Sequence, residues 1–256
     1  MNVFLTGASS GIGLALAREY ARRGARLGMV ARRATALAEL AAELGPQHIT
    51  YAVDVHDREV LIGAGRHFDA ATGGADIVIA NAGISAGVET EHFEDLDTFR
   101  DVFETNVLAV AHTFHPFIAA MRERRRGILV GIGSVAGVRG MPGSEAYCAS
   151  KSAVATYCES LRVGLCGSGV RVLLLAPGFV RTPLTGRNPY PMPFLMDPDD
   201  FARSAAKRIA RGGGSAVIPW QMGIVARLLR ALPDALFDRA FAGRKRKPRR
   251  GAGSAG

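Results

Sequence analysis

Cysteine is scarce in this chain, three residues in 256, at Cys148, Cys158 and Cys166. They fall on or near one expected helix with no metal-ligand spacing, which excludes a disulfide framework and a zinc module and leaves reduced thiols as the expectation. Cys148 adjoins Tyr147, but neighbouring helix residues face different ways, so it reads as packing. Long hydrophobic runs are missing too. No apolar stretch approaches the ~20 residues that a membrane-spanning helix needs. With a strand expected from residue 2, no signal peptide is expected either, and the expected location is cytoplasmic. There is no internal repeat of solenoid type. Acidic residues are outnumbered, 23 Asp and Glu against 32 Lys and Arg. Six of the basic residues stand in one run, Arg244-Lys245-Arg246-Lys247-Pro248-Arg249-Arg250, and without them the net charge falls from +9 to +3. The basicity therefore belongs to a tail and not to the folded body, and with no aromatic platform or recognition motif beside it, specific nucleic-acid binding is not expected.

Hydrophobic residues make up 48% and charged residues 21% of the chain, which is soluble-globular composition with enough length for one large domain. Short apolar runs near 2–6, 26–31, 48–53, 76–80, 127–132, 170–176 and 215–218 predict strands buried on both faces. Helical patterns lie between them, such as Ala34 to Leu44 closed by Gly45. The alternation predicts an α/β fold, a doubly wound parallel seven-stranded sheet with helices on both faces. The segment from Thr182 to Asp199 has no periodicity. It carries five prolines with Met192, Phe194, Leu195 and Met196, and is expected to be a mobile apolar lid.

Two motifs carry chemistry. The first is Thr6-Gly7-Ala8-Ser9-Ser10-Gly11-Ile12-Gly13, which follows a strand and precedes a helix. Glycines there allow close approach of a pyrophosphate, and a helix N-terminus favours its charge. The spacing is G-x-x-x-G-x-G rather than G-x-G-x-x-G. The second is Tyr147-Cys148-Ala149-Ser150-Lys151, whose Tyr and Lys share a helix face one turn apart. An ammonium beside a phenol favours the phenolate, so the pair is a candidate proton donor and acceptor. His112 and His115 also share a helical spacing, but no third ligand stands nearby, and no metal is expected.

With these motifs stand Asp54 after the third strand, Asn81-Ala82-Gly83 after the fourth, Asn106, Ser134 after the fifth, and Pro177-Gly178 after the sixth. From about Asn2 to Pro219 the chain resembles the short-chain dehydrogenases/reductases, whose motifs occur in this order. The resemblance implies a Rossmann-like catalytic domain over residues 1–219, with the active site at the carboxyl ends of the strands. It implies a catalytic set of Asn106, Ser134, Tyr147 and Lys151. Tyr147 would exchange a proton with the substrate oxygen. Ser134 would hydrogen-bond that oxygen, Lys151 would lower the phenol pKa and bind the nicotinamide ribose, and Asn106 would hold a water near Lys151. Taken singly, Ser134 also reads as a strand-end turn residue and Asn106 as a buried polar group satisfying backbone.

Cofactor contacts are implied at Gly7, Ser9, Ser10, Gly11, Ile12, Gly13, Asp54, Val55, Asn81, Ala82, Gly83, Tyr147, Lys151, Pro177, Gly178, Val180 and Thr182. Asp54 would meet the adenine edge, or instead cap the next helix. Ala31 stands where an NAD-binding relative places an acid, and Arg32 and Arg33 follow it. Guanidinium groups suit a 2′-phosphate, so NADP(H) is expected in preference to NAD(H). Arg33 is the closer of the two to a mere helix-start residue. The expected activity is hydride transfer between nicotinamide and a hydrophobic carbonyl or secondary alcohol, in a homodimer or homotetramer. A non-catalytic NADP(H)-binding sensor or scaffold is the alternative.

Residues 220–243 are expected to be an amphipathic helical extension, with Ile224, Val225, Leu228, Leu229 and Leu232 on one face. It could cover the substrate cleft, pack between subunits, or make weak contact with an anionic membrane. Residues 244–256 are expected to be a disordered basic tail.

Overall fold

The computed structural model describes residues 1–186 and 188–250. The last part of the expected tail, 251–256, lies outside the described residues. Seven strands, Asn2–Thr6 (β1), Arg26–Ala31 (β2), Ile49–Ala52 (β3), Ile77–Ala80 (β4), Gly127–Ile132 (β5), Val170–Pro177 (β6) and Ser215–Ile218 (β7), form one parallel sheet in the order β3-β2-β1-β4-β5-β6-β7. The expected α/β architecture is present. The strand runs agree with the sequence pattern to within a residue at each end.

The period of two along β1 builds both layers. Val3 and Leu5 face a cluster with Leu16, Leu37 and Phe201. Phe4 faces the other side, among Phe68, Phe114 and Phe117. Its ring lies 5.6 Å from Phe68 and 5.0 Å from Phe117. Helices Gly11–Arg22 (α1), Ala34–Leu44 (α2) and Pro198–Arg211 (α7) supply the first layer; Arg58–Thr72 (α3), Ala109–Glu123 (α5) and Glu145–Gly164 (α6) supply the second. A shorter helix, Asp95–Phe103 (α4), runs through a π-helical turn at Glu104–Leu108 into α5. Gly45 ends α2 at φ 105°, and Asp57 caps α3 by accepting from the Val60 amide at 3.1 Å. Strand order reverses between β1 and β4, so their carboxyl ends diverge and leave a crevice there.

The C-terminal extension departs from expectation. Its two helices, Trp220–Ala231 (α8) and Asp234–Phe241 (α9), are present. The face that α8 buries is Met222, Gly223 and Ala226, while Ile224 and Leu228 are exposed. Close approach decides this. A Cβ on Gly178 would lie 2.7 Å from Met222, and one on Gly223 would lie 3.3 Å from Val217. Met222 against Gly178 and the small residues of α8, not Ile224 and Leu228, therefore set the contact. Phe237 and Phe241 anchor α9. Arg139 ties both helices to the body. It donates to the Leu229 carbonyl at 2.9 Å, pairs with Asp234 at 2.6 Å and stacks 4.1 Å over the Phe237 ring.

The basic segment also differs from expectation. Residues 246–250 lie against the body, with Arg246 on Glu89, Arg249 on Asp95 and Arg250 on Asp101. Carboxylates in and before α4, remote in sequence, supply the compensating charge that a reading of the tail alone does not contain. Among the described residues no helix is long and apolar enough to cross a membrane.

Candidate active site

A cleft of about 810 Å³ opens at the carboxyl ends of the strands. Gly7, Ser9, Ser10, Gly11, Ile12, Arg32, Arg33, Asp54, Val55, Asn81, Ala82, Gly83, Ser134, Tyr147, Lys151, Pro177, Gly178, Val180 and Thr182 line it. Gly13 and Asn106 do not; both lie in the supporting layer beneath.

The glycine turn is held from below. Asn81 Nδ2 donates to the Thr6 carbonyl at 3.0 Å and the Gly7 carbonyl at 3.3 Å, and the Asn81 and Ala82 amides donate to Thr6 Oγ1. Gly7 and Gly11 have φ of 71° and 53°, a region that side chains rarely adopt. The turn fits a dinucleotide phosphate. Helix α1 starts at Gly11 with no side-chain cap and no acidic residue in its first turn, so its leading N–H groups stand at the cleft available to an anion.

At the end of β2 the two arginines diverge around the turn. Arg33 Nη2 donates to the Ser9 carbonyl at 3.2 Å. Arg32 lies 3.7 Å from the Asp54 carboxylate. Asp54 accepts from the His56 amide at 3.1 Å and does not cap α3, a role taken by Asp57. Arg33, expected to be the bystander, is the arginine that reaches the glycine turn.

Ser134 ends the loop after β5 and caps a single 3-10 turn, its Oγ accepting from the Ala136 amide at 3.1 Å. Helix α6 carries Tyr147 and Lys151 to the same wall. Burial pushes the Tyr147 phenol up to about 12, outweighing the opposing pull of the nearby Ser134 hydroxyl. Burial also brings Lys151 down to about 8. The Lys151 ammonium donates to the Ile132 carbonyl at 2.9 Å and lies 5.9 Å from the Tyr147 ring centre. The expected depression of the phenol by Lys151 is therefore not what this arrangement produces: desolvation outweighs a charge that is turned toward a carbonyl. Tyr147 is a protonated donor at neutral pH.

Asn106, in the π-helical turn, is fully buried. Its Oδ1 accepts from the Ile84 amide at 2.8 Å, and its Nδ2 donates to the Ile84 carbonyl and the Ser150 hydroxyl, each at 3.0 Å. A Cβ on Gly83 would meet Asn106 Oδ1 at 3.2 Å and Lys151 Nζ at 3.5 Å. Asn106 thus pins the loop after β4 beside Lys151. Val180 is buried and its carbonyl takes the Thr185 hydroxyl at 2.6 Å, while the Thr182 and Thr185 hydroxyls share a contact of 3.2 Å. The base of the expected lid is fastened by Met196, whose amide donates to the Phe179 carbonyl at 2.9 Å and whose carbonyl accepts from Arg181 at 2.9 Å.

Sequence reasoning missed several lining residues. Ser85, Leu184 and Lys247 through Arg250 border the same cleft, and Tyr190 lies within electrostatic reach of Tyr147.

Fold and site together define a nucleotide-binding oxidoreductase of Rossmann type. Residues 1–190 match the family described as short chain dehydrogenase. An uncharacterized oxidoreductase of Myxococcus xanthus is 41% identical over 239 residues, 92% of this chain and 94% of that one. Among solved structures, 3-ketoacyl-(acyl-carrier-protein) reductase from Brucella melitensis, complexed with NADH, superposes with TM-score 0.77 at 25% identity, covering 85% of this chain and 96% of that one. An alcohol dehydrogenase from the archaeon Thermococcus sibiricus, complexed with 5-hydroxy-NADP, gives TM-score 0.75 at 26% identity, covering 85% and 95%. The chain belongs to the short-chain dehydrogenase/reductase family.

Proposed function

We propose that this protein is an NADP(H)-dependent oxidoreductase that interconverts a carbonyl and a secondary alcohol on a hydrophobic small molecule. The observation that carries the reading is the meeting of Ser134, Tyr147 and Lys151 on one wall of the cleft that also holds the glycine turn. A bound nicotinamide supplies or accepts the hydride. In reduction Tyr147 donates its phenolic proton to the substrate oxygen, and in oxidation the phenolate takes that proton back. Ser134 hydrogen-bonds the same oxygen and steadies the charge that develops on it. Lys151 holds positive charge behind the phenol. Asn106 positions the Ile84 backbone and Ser150. Leu184 and Pro183 in the cleft lining, with Tyr190 within electrostatic reach of Tyr147, support a hydrophobic substrate. NADPH absorbance against a panel of hydrophobic ketones and aldehydes tests the reading. Turnover is expected; dinucleotide binding with no turnover on any of them would favour the sensor alternative.

Arg32 and Arg33, following Ala31 at the end of β2, support the choice of NADP(H), because guanidinium groups suit a 2′-phosphate. Of the solved relatives named above, one is bound to NADH and one to an NADP derivative. Replacing both by Ala is expected to weaken NADPH binding roughly 10–100-fold, the scale of charge-assisted hydrogen bonds at ~1.5–3 kcal/mol. NADH affinity is expected to be unchanged. Fluorescence titration with each dinucleotide reads this, and equal weakening of both would show that the arginines do not read the 2′-phosphate.

A pH dependence follows from the burial of Lys151. Its ammonium is present below about 8 and lost above it, while Tyr147, held up to about 12, stays protonated across that range. The kcat/KM for reduction is expected to be level below that pH and to fall above it. A profile that rises through this range would contradict the role given to Lys151.

We infer that the protein is a homodimer or homotetramer, joined through α4, α5 and α6. Leu96 and Leu108 are exposed on that side. Light scattering after size exclusion is expected to give an even number of chains, and a monomer at all concentrations would refute it.

A further inference from the structure

We propose that residues 246–250 form a clasp across the dinucleotide cleft, and that its opening sets the rate at which cofactor leaves. The proposal rests on the nucleotide-binding reading above and concerns a segment outside the catalytic set.

The clasp has a main-chain seat. The Gly87 amide donates to the Pro248 carbonyl at 3.0 Å, and Gly87 pairs in parallel with Arg249. A Cβ on Gly87 would lie 2.2 Å from the Lys247 carbonyl oxygen and 2.7 Å from Pro248, so the seat accepts this segment only because residue 87 has no side chain. Ion pairs fix it on the α4 side. Arg249 Nε meets Asp95 Oδ2 at 2.7 Å, Arg246 meets Glu89 at 2.9 Å, and Arg250 meets Asp101 at 2.5 Å. Asp95 is 1% exposed and also accepts from the Glu89 amide at 2.8 Å. Its placement makes Arg249 the central anchor.

The clasp joins the two walls. Buried Lys247 donates to Ser85 Oγ at 2.9 Å and to the Leu184 carbonyl at 3.4 Å. Ser85 belongs to the loop after β4, and Leu184 to the segment after β6. A segment bonded to both sides of a cleft must part before a dinucleotide can pass, as lids do. The flanking Arg246–Glu89 and Arg250–Asp101 pairs are open to solvent, individually weak and screened by salt. The fastening is therefore reversible, and high salt eases its release.

The test uses the full chain loaded with NADPH. Release is followed by loss of nicotinamide fluorescence on mixing with excess NADP⁺. Gly87→Ala obstructs the seat without altering charge. Arg249→Ala with Arg250→Ala removes two anchors and leaves the seat intact. Both variants are expected to release NADPH roughly tenfold faster, since interface changes act mostly on dissociation. Wild-type release is expected to accelerate with salt more steeply than that of the double variant. Thermal unfolding confirms that each variant is folded, and if one is not, the other decides. Wild-type-like release from the folded variants would overturn the clasp while leaving nucleotide binding standing. A wild-type protein that binds neither NADPH nor NADH would remove the nucleotide reading, and the clasp with it.

Discussion

Tyr147→Phe is expected to lower kcat for carbonyl reduction by roughly 10²–10⁴-fold, the contribution of a positioned general acid, while NADPH affinity stays close to that of the wild type. The substitution removes one oxygen and leaves the ring in place on α6. What disappears is the phenolic proton of Tyr147, whose oxygen is the partner of the Ser134 hydroxyl in the cleft. A thousandfold loss corresponds to about 4 kcal/mol of barrier, more than a packing change at a half-buried ring would produce in turnover alone. The outcome separates chemistry from binding because, in the proposed function, Gly7 to Ile12 take the phosphate and Tyr147 the substrate oxygen, at different places in the cleft lining. Steady-state kinetics with a fluorescence titration of NADPH provide both readouts. A variant that keeps more than a tenth of wild-type turnover would remove Tyr147 from the proton path. Ser134→Ala is the companion change, and its smaller loss would locate the hydrogen bond rather than the proton.

What the sequence disclosed was local or periodic. The glycine turn is contiguous, so Gly7, Gly11 and Gly13 can be read with their strand and helix. Tyr147 and Lys151 lie one helical turn apart, and the helix brings them to the same wall. The strands are short apolar runs because the sheet is covered on both faces. What it hid depends on distant partners or on competition between forces. Asn106 satisfies Ile84, a contact that nothing in the sequence around either residue announces. Helix α8 buries Met222, Gly223 and Ala226 because glycines allow close approach there, against the hydrophobic pattern. Arg139 holds the end of α8 from about 90 residues away in the chain. The basic run reads as solvated until Glu89, Asp95 and Asp101 are placed beside it. The expected effect of Lys151 on Tyr147 also failed for a reason invisible in sequence, since the burial of both groups is a property of the assembled wall.

Gly13→Ala sets two local rules against each other, and the steric one is expected to win. Gly13 lies in the first turns of α1, where Ala is favoured over Gly by about 1 kcal/mol. Its φ is not in the left-handed region, so backbone strain does not forbid the change. The added Cβ would however lie 2.0 Å from the Gly7 carbonyl oxygen and 2.6 Å from Asn81 Nδ2. Neither neighbour can move cheaply. The Gly7 carbonyl belongs to the phosphate turn, and Asn81 Nδ2 is bonded to the Thr6 and Gly7 carbonyls. Overpacking of this kind costs about 1–3 kcal/mol and occasionally more, and here it strikes backbone. A net loss of about 3 kcal/mol is expected, lowering Tm by roughly 6–12 °C, together with loss of dinucleotide binding as the turn is displaced. Gly63→Ala in α3 is the control, because a Cβ there meets nothing within 4 Å. It is expected to gain about 1 kcal/mol from helix propensity alone and to raise Tm by roughly 2–4 °C. Thermal unfolding of the two variants side by side decides the matter: if Gly13→Ala were to stabilise the protein as Gly63→Ala does, the tight contact between α1 and the loop after β4 would not exist, and the support assigned to Asn81 would fall with it.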